Sequence, residues 1–234
     1  MKKYLLLFSV VILSSCQDGT LVEEAVLIGT ETNVAETLEH NPNIKAKNII
    51  LFIGDGMGPN QVALARFAVG GANHRLSFEN FPVTGIVLNH SAENLYTDSA
   101  ASATTWAAGV KTKNGYLSVD PDNKFLPTIP ELLSTKGYLT GLVATSSITH
   151  ATPAAFYAHI KSRSKHKQIA QMLVESDIAI ALGGGSEFLK LPLSDQAIHI
   201  IDNGNSLEQD NLAQHTRVLG LFGCLLYTSD AADE

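Results

Sequence analysis

Cysteine and positive charge are both scarce in this 234-residue sequence. Cysteine occurs only at Cys16 and Cys224. If Cys16 is consumed by lipidation, as argued below, no internal disulfide remains. Lys and Arg number 16 against 23 Asp and Glu, a formal net charge of -7. That balance gives no support for nucleic-acid binding and no general attraction for anions, so any affinity for an anion has to be local. No internal repeat occurs, and no membrane segment follows the first apolar stretch. What remains is an ordinary globular composition, 45% hydrophobic and 17% charged, of a size that suggests one domain.

Lys47-Asn48-Ile49-Ile50-Leu51-Phe52-Ile53 holds a continuous apolar run of strand length, suited to a central parallel strand buried on both faces. It stops in Gly54-Asp55-Gly56-Met57-Gly58-Pro59, a glycine turn that brings backbone close to whatever Asp55 holds. An acid just past the carboxyl end of such a strand lies where open α/β sheets bind ligands. A structural aspartate in a glycine turn fits the same residues.

Downstream stands Tyr96-Thr97-Asp98-Ser99-Ala100-Ala101-Ser102-Ala103-Thr104-Thr105. Asp98 or Ser99 can cap the helix that this small-residue run should form, because its first amides lack partners. A serine there faces the positive end of the helix dipole, where an incoming phosphate would also sit. Ser99 is therefore a candidate nucleophile. An N-cap on a buried small-residue helix accounts for the ten residues equally well.

Taken together, Ile53 to Gly58 and Thr97 to Thr104 resemble the metal-ligand and nucleophile motifs of the alkaline phosphatase family. Thr149-His150-Ala151-Thr152-Pro153-Ala154-Ala155, followed by Ala158-His159-Ile160-Lys161-Ser162-Arg163, is a third match, and Gly183-Gly184-Gly185 a fourth, in the expected order. The likeness covers roughly Asn48 to Phe222. It implies that Asp55 bridges a zinc and a third, usually magnesium, metal. It implies that Ser99 is the zinc-bound nucleophile that becomes phosphoserine, and that Arg163 clamps two phosphate oxygens. His150 and Thr152 would belong to the third metal's site, where many bacterial members carry aspartate in place of this histidine. Imidazole favours zinc and oxygen ligands favour magnesium, so both Zn2+ and Mg2+ stay open there.

The chemistry suits those roles. A serine hydroxyl is a poor nucleophile at neutral pH, and a divalent metal favours its ionised form. A phosphoryl group in transfer spreads charge over oxygens that a planar guanidinium binds in a bidentate way, which lysine does less well. Without the resemblance, Arg163 reads as a solvated charge among Lys161, Lys165 and Lys167. His159 reads as a structural hydrogen-bonding histidine, and Asp98 as an orienting or capping group. Asp195 and His199 stand at i, i+4, a spacing compatible with metal binding on a helix. Ile198, Ile200 and Ile201 suggest a partly buried strand instead, which makes the pair incidental.

The chain opens with a basic Met1-Lys2-Lys3 and an apolar core from Tyr4 to Leu13, too short to span a bilayer as a mature helix. Leu13-Ser14-Ser15-Cys16 resembles a bacterial lipobox, which divides the sequence into a lipoprotein signal at 1–16, a polar tether at 17–45 and the phosphatase-like region at 46–222. In that reading Cys16 carries lipid and anchors the protein to a membrane of the bacterial envelope, as a periplasmic or surface lipoprotein. A plain signal peptide is the alternative. Residues 223–234 leave the family pattern and read as translated adapter sequence or as a divergent natural tail. Family members carry further zinc and third-site ligands beyond this length, so the 234-residue chain is expected to be inactive or nearly so.

Strands are expected at Lys47–Ile53, Pro82–Asn89, Leu139–Thr145 and Ile178–Leu182. Helices are expected at Pro59–Val69, Ser99–Ala108, Thr128–Thr135 and Lys165–Val174, the last with Ser164 as its cap. The alternation predicts an α/β protein, a three-layer α/β/α fold with a mainly parallel sheet, incomplete relative to the family. The expected substrates are phosphate monoesters, with no nucleic acid as partner and a homodimer conceivable for the intact enzyme. Two other functions stay open. One is a phosphodiesterase, phosphonate hydrolase or sulfatase of the same superfamily, against which the serine and the missing Cys/Ser-x-Pro-x-Arg pattern argue. The other is a non-catalytic tethered protein that binds phosphate or metal.

Overall fold

The computed structural model describes residues 46–189, 198–201 and 211–222. The signal and tether, Cys16, Asp195, Cys224 and the 223–234 tail lie outside the described residues. Four strands, β1 (Gly141–Ser147), β2 (Ile180–Gly184), β3 (Ile198–Ile201) and β4 (Arg217–Phe222), form one parallel sheet in the order β1-β2-β4-β3. Parallel neighbours need crossovers, and the β1 to β2 connection carries two helices, α4 (Ala151–Ala154) and α5 (His166–Glu175). Before the sheet come α1 (Pro59–Gly70), α2 (Ser99–Ala108) and α3 (Ile129–Ser134). A parallel sheet flanked by helices is the α/β architecture that the alternation predicts.

Local chemistry explains the helix ends. Pro59 opens α1, where its missing N–H costs nothing. Asp98 caps α2 by accepting from the Ala101 amide at 2.9 Å, and Gly109 ends it. Thr128 and Glu131 form a reciprocal capping box on α3. On α5 the cap position is Lys165 with no side-chain hydrogen bond, so the expected Ser164 cap is not made. Its other end is closed by Arg217 of β4, which donates to the carbonyls of Leu173, Val174 and Ile178 at 2.8–3.1 Å.

The core joins sheet and helices through Ile148, Ile169, Leu173, Ile178 and Leu219, all at most 1% exposed. Between α2 and α4 the packing is made of alanines: Ala100, Ala103 and Ala107 on one helix, Ala151 and Ala154 on the other, followed by Ala155. Side chains this small let the two backbones approach closely, which matters for the site below.

Two expected strands are absent from the described structure. Lys47–Ile53 forms no strand and pairs with no described strand, and Ile49 and Phe52 are 86% and 85% exposed. Only Ile53 of the run packs against the core. Pro82–Asn89 is likewise unpaired, with Ile86 96% exposed. The carbonyls of Leu88 and His90 are instead taken by the Lys111 ammonium, at 2.9 and 2.8 Å. An apolar run records a preference for burial, but a strand also needs a ladder partner, and these two segments have none among the described residues.

Candidate active site

Ser99 is the first residue of α2, 8% exposed, directly after the capping Asp98. Arg163 Nη1 donates to Ser99 Oγ at 2.7 Å and reaches Asp98 Oδ2 at 3.4 Å. Its Nη2 donates to His150 Nε2 at 3.0 Å. A guanidinium can only donate, so His150 Nε2 is the acceptor here and the neutral ring carries its proton on Nδ1. The structure thus brings Asp98, Ser99, His150 and Arg163 together. His150 occupies the N-cap position of α4, just past β1, on the side of the sheet where open α/β folds bind ligands.

Asp55 and Thr152 form a second group. Thr152 Oγ1 on α4 donates to Asp55 Oδ2 at 2.5 Å, across 97 residues of sequence. Two oxygen donors in contact suit a hard cation such as magnesium. The His150 Nε2 lone pair is engaged by Arg163 Nη2 in this structure. Among the described residues no group of three or more His, Cys, Asp or Glu side chains gathers to hold a metal.

A ring of supporting contacts surrounds this centre, and several of its members carry no obvious signal in the sequence. Asp98 Oδ2 accepts from the Gly115 amide at 2.9 Å, and the Asp98 amide donates to Asn114 Oδ1 at 3.2 Å. Buried Thr104 of α2 donates to the Tyr116 carbonyl and accepts from the Ser118 amide, at 3.2 and 2.9 Å. His159 lies between the Ser118 carbonyl, 2.9 Å from Nδ1, and Glu131 Oε1, 2.7 Å from Nε2, with its ring stacked on Phe125. Burial pushes the Glu131 carboxyl up. Hydrogen bonds from the Thr128 backbone and His159, with the His159 charge and the Thr128 hydroxyl, outweigh burial and hold it below the usual range.

Behind His150 runs a chain of hydroxyls: Ser147 Oγ to Thr149 Oγ1 at 2.8 Å, and Thr149 Oγ1 to His166 Nδ1 at 3.0 Å. His166 stacks on Phe188. Burial above all, with the Arg163 charge adding to it and a Thr149 hydrogen bond opposing, pushes its imidazole below the ordinary histidine value. The hydroxyl chain explains the last glycine of the triplet. A Cβ on Gly185 would stand 2.2 Å from Ser147 Oγ, and its φ of +97° disfavours any side chain. The Asn114-Gly115 pair is a local turn signal in the sequence. Nothing local marks Thr104 or His166. His199 sits on β3 and stacks on His215 at 3.7 Å, a pairing apart from the site residues above.

Comparison with known proteins places the chain in a family. The alkaline phosphatase family model matches residues 46–223. The chain is 37% identical to the alkaline phosphatase of Escherichia coli K12 over 168 residues, covering 61% of this chain and 36% of that protein. The cold-active alkaline phosphatase of Shewanella sp. superposes with a TM-score of 0.67 at 32% identity, covering 73% of this chain and 44% of that one. A histidine-to-aspartate variant of the TAB5 alkaline phosphatase, with Mg bound in its M3 site, superposes with a TM-score of 0.64 at 30% identity, over 72% and 50% of the two chains. The chain therefore spans half or less of the length of each of these relatives. With a family match over residues 46–223, the chain belongs to the alkaline phosphatase family.

Proposed function

We propose that this region supplies the phosphoryl-transfer centre of a metal-dependent phosphomonoesterase, with Ser99 as the acceptor. The contact of Arg163 Nη1 with Ser99 Oγ at 2.7 Å carries the reading, because it sets a bidentate phosphate donor against a potential nucleophile. When a phosphate monoester enters, the guanidinium exchanges its contacts with Ser99 and His150 for two phosphate oxygens. Asp98, capping α2 and touching Nη1, keeps the guanidinium plane in place. Ser99 Oγ gives its proton to water and forms a bond to phosphorus as the ester P–O bond breaks, and the alcohol departs with the electron pair and takes a proton from water. Water then attacks the phosphoserine, releasing inorganic phosphate and restoring the serine.

Asp55 and Ser99 are the proposed ligands of a zinc, and Asp55, Thr152 and His150 those of a third-site Mg2+ or Zn2+. Zinc, when bound, supplies the positive charge that favours the ionised serine oxygen. The magnesium in the M3 site of the TAB5 histidine-to-aspartate variant supports a metal cofactor in general. A catalytic zinc takes about three protein donors. Asp55 and Ser99 offer two, so the 234-residue chain alone is expected to release little or no 4-nitrophenol from 4-nitrophenyl phosphate. We further propose export to the bacterial envelope and lipid anchoring at Cys16, followed by the tether at 17–45. Among the described residues no helix is long and apolar enough to cross a membrane.

Acid-quenched peptide mapping of the whole protein, incubated with a phosphate monoester, zinc and magnesium, tests this reading. A phosphoryl group on Ser99 is the expected result. Turnover retained by Ser99→Ala would overturn it.

A further inference from the structure

We propose that Gly115 is a positioning residue, whose backbone sets the separation between Ser99 and Arg163. The inference rests on reading those two residues as a phosphate site. Its own evidence is a set of hydrogen bonds made by one short turn. Tyr116 N–H donates to the Lys113 carbonyl at 3.1 Å, closing a turn with Asn114 and Gly115 at its centre. Gly115 has φ +82°, the left-handed value that a type II turn demands at its third residue.

From that turn the backbone holds both sides of the site. The Gly115 amide donates to Asp98 Oδ2 at 2.9 Å, and the Asn114 side chain accepts from the Asp98 amide at 3.2 Å. In the other direction, the Arg163 amide donates to the Gly115 carbonyl at 2.9 Å. The cap of the nucleophile helix and the backbone of the phosphate clamp are therefore tied to the N–H and C=O of a single residue. The next residues extend the tie. Leu117 and Ile160 exchange a pair of backbone hydrogen bonds at 2.9 and 3.0 Å, and the Ser118 amide donates to Thr104 of α2. Rotating the Gly115 backbone breaks the ties on both sides at once.

The requirement is one of backbone conformation and not of space. A Cβ on Gly115 would meet no atom within 4 Å. Two substitutions of comparable bulk therefore separate the explanations. Gly115→Val places a β-branched residue where φ is positive, an arrangement such residues avoid. Gly115→Asn adds a side chain of similar volume that tolerates the left-handed region.

The test uses the full 234-residue chain and two readouts, hydrogen exchange of the Arg163 amide and calorimetric titration with inorganic phosphate. In Gly115→Val, Arg163 amide exchange should quicken and phosphate affinity should fall, each by about tenfold, as expected for loss of charge-assisted and backbone hydrogen bonds. Gly115→Asn should recover most of both. Wild-type behaviour in Gly115→Val, or equal damage from Gly115→Asn, overturns the proposal. If Gly115→Val does not fold, Asn114→Ala removes the acceptor of the Asp98 amide, and an unchanged phosphate affinity in that variant overturns it as well. A wild-type chain that binds no phosphate would overturn the phosphate reading of the site, while Arg163 amide exchange would still decide the role of Gly115.

Discussion

Arg163 and Ser99 lie 64 residues apart in sequence, yet Nη1 of the one donates to Oγ of the other at 2.7 Å. Neither residue holds that distance by itself. Ser99 is fixed by α2, which rests on α4 through alanines, and Arg163 is fixed by the segment that follows α4. The packing of α2 on α4 and the ties from Gly115 to Asp98 and Arg163 together bring the two side chains into contact.

Enlarging one of those alanines should therefore disturb the protein. Ala103 is 1% exposed, so Ala103→Leu forces extra methylenes into a filled interface and should cost about 1–3 kcal/mol. Urea unfolding measures this, and a change within experimental error would show that the helices do not pack as described.

Thr104 gives a second expectation. Its hydroxyl is fully buried and serves both the Tyr116 carbonyl and the Ser118 amide. Thr104→Val keeps the shape but leaves the Ser118 N–H without that acceptor, at a cost of about 1–3 kcal/mol. Thr104→Ser keeps the hydroxyl and should unfold at a urea midpoint closer to wild type than the valine variant does.

The pH dependence of stability has two parts with the same sign. Burial lowers His166, so its folded form resists protonation that the unfolded chain accepts. Stability is then fully present above the unfolded histidine pKa, about 6.5, and declines as pH falls through that value toward the lower folded one. Glu131, held low by Thr128 and His159 against the opposing effect of burial, contributes stability above the unfolded glutamate pKa of about 4.3 that is lost as pH falls further. Thermal unfolding of His166→Asn should show a flatter profile between roughly pH 5 and 7 than wild type. Glu131→Gln should flatten only the more acidic region, and an unchanged profile in either variant would contradict the assignment.

Helices α1, α2 and α3 were legible because their signals are local, whereas α4 was not expected. Pro59, Asp98 with Gly109, and the Thr128 and Glu131 pair each mark a boundary within a few residues of where it falls. Strands β1 and β2 were legible as apolar runs, the second ending in a glycine triplet. Lys47–Ile53 has the same apolar character but no described ladder partner, and a run of Ile and Leu cannot announce whether a partner is present. The site divides in the same way. Asp55, Ser99, His150, Thr152 and Arg163 stood out as motif residues. The turn at Asn114-Gly115 and the Ser147–Thr149–His166 chain act through contacts between distant segments, which no spacing in the sequence displays.

On the proposed function, Ser99 and Arg163 form one phosphate-handling site. Calorimetric titration of the protein with inorganic phosphate, before and after Arg163→Ala, tests it most directly. The account predicts one phosphate per chain, bound at least about tenfold more weakly once the bidentate guanidinium is removed. Equal affinity in the two proteins would contradict it.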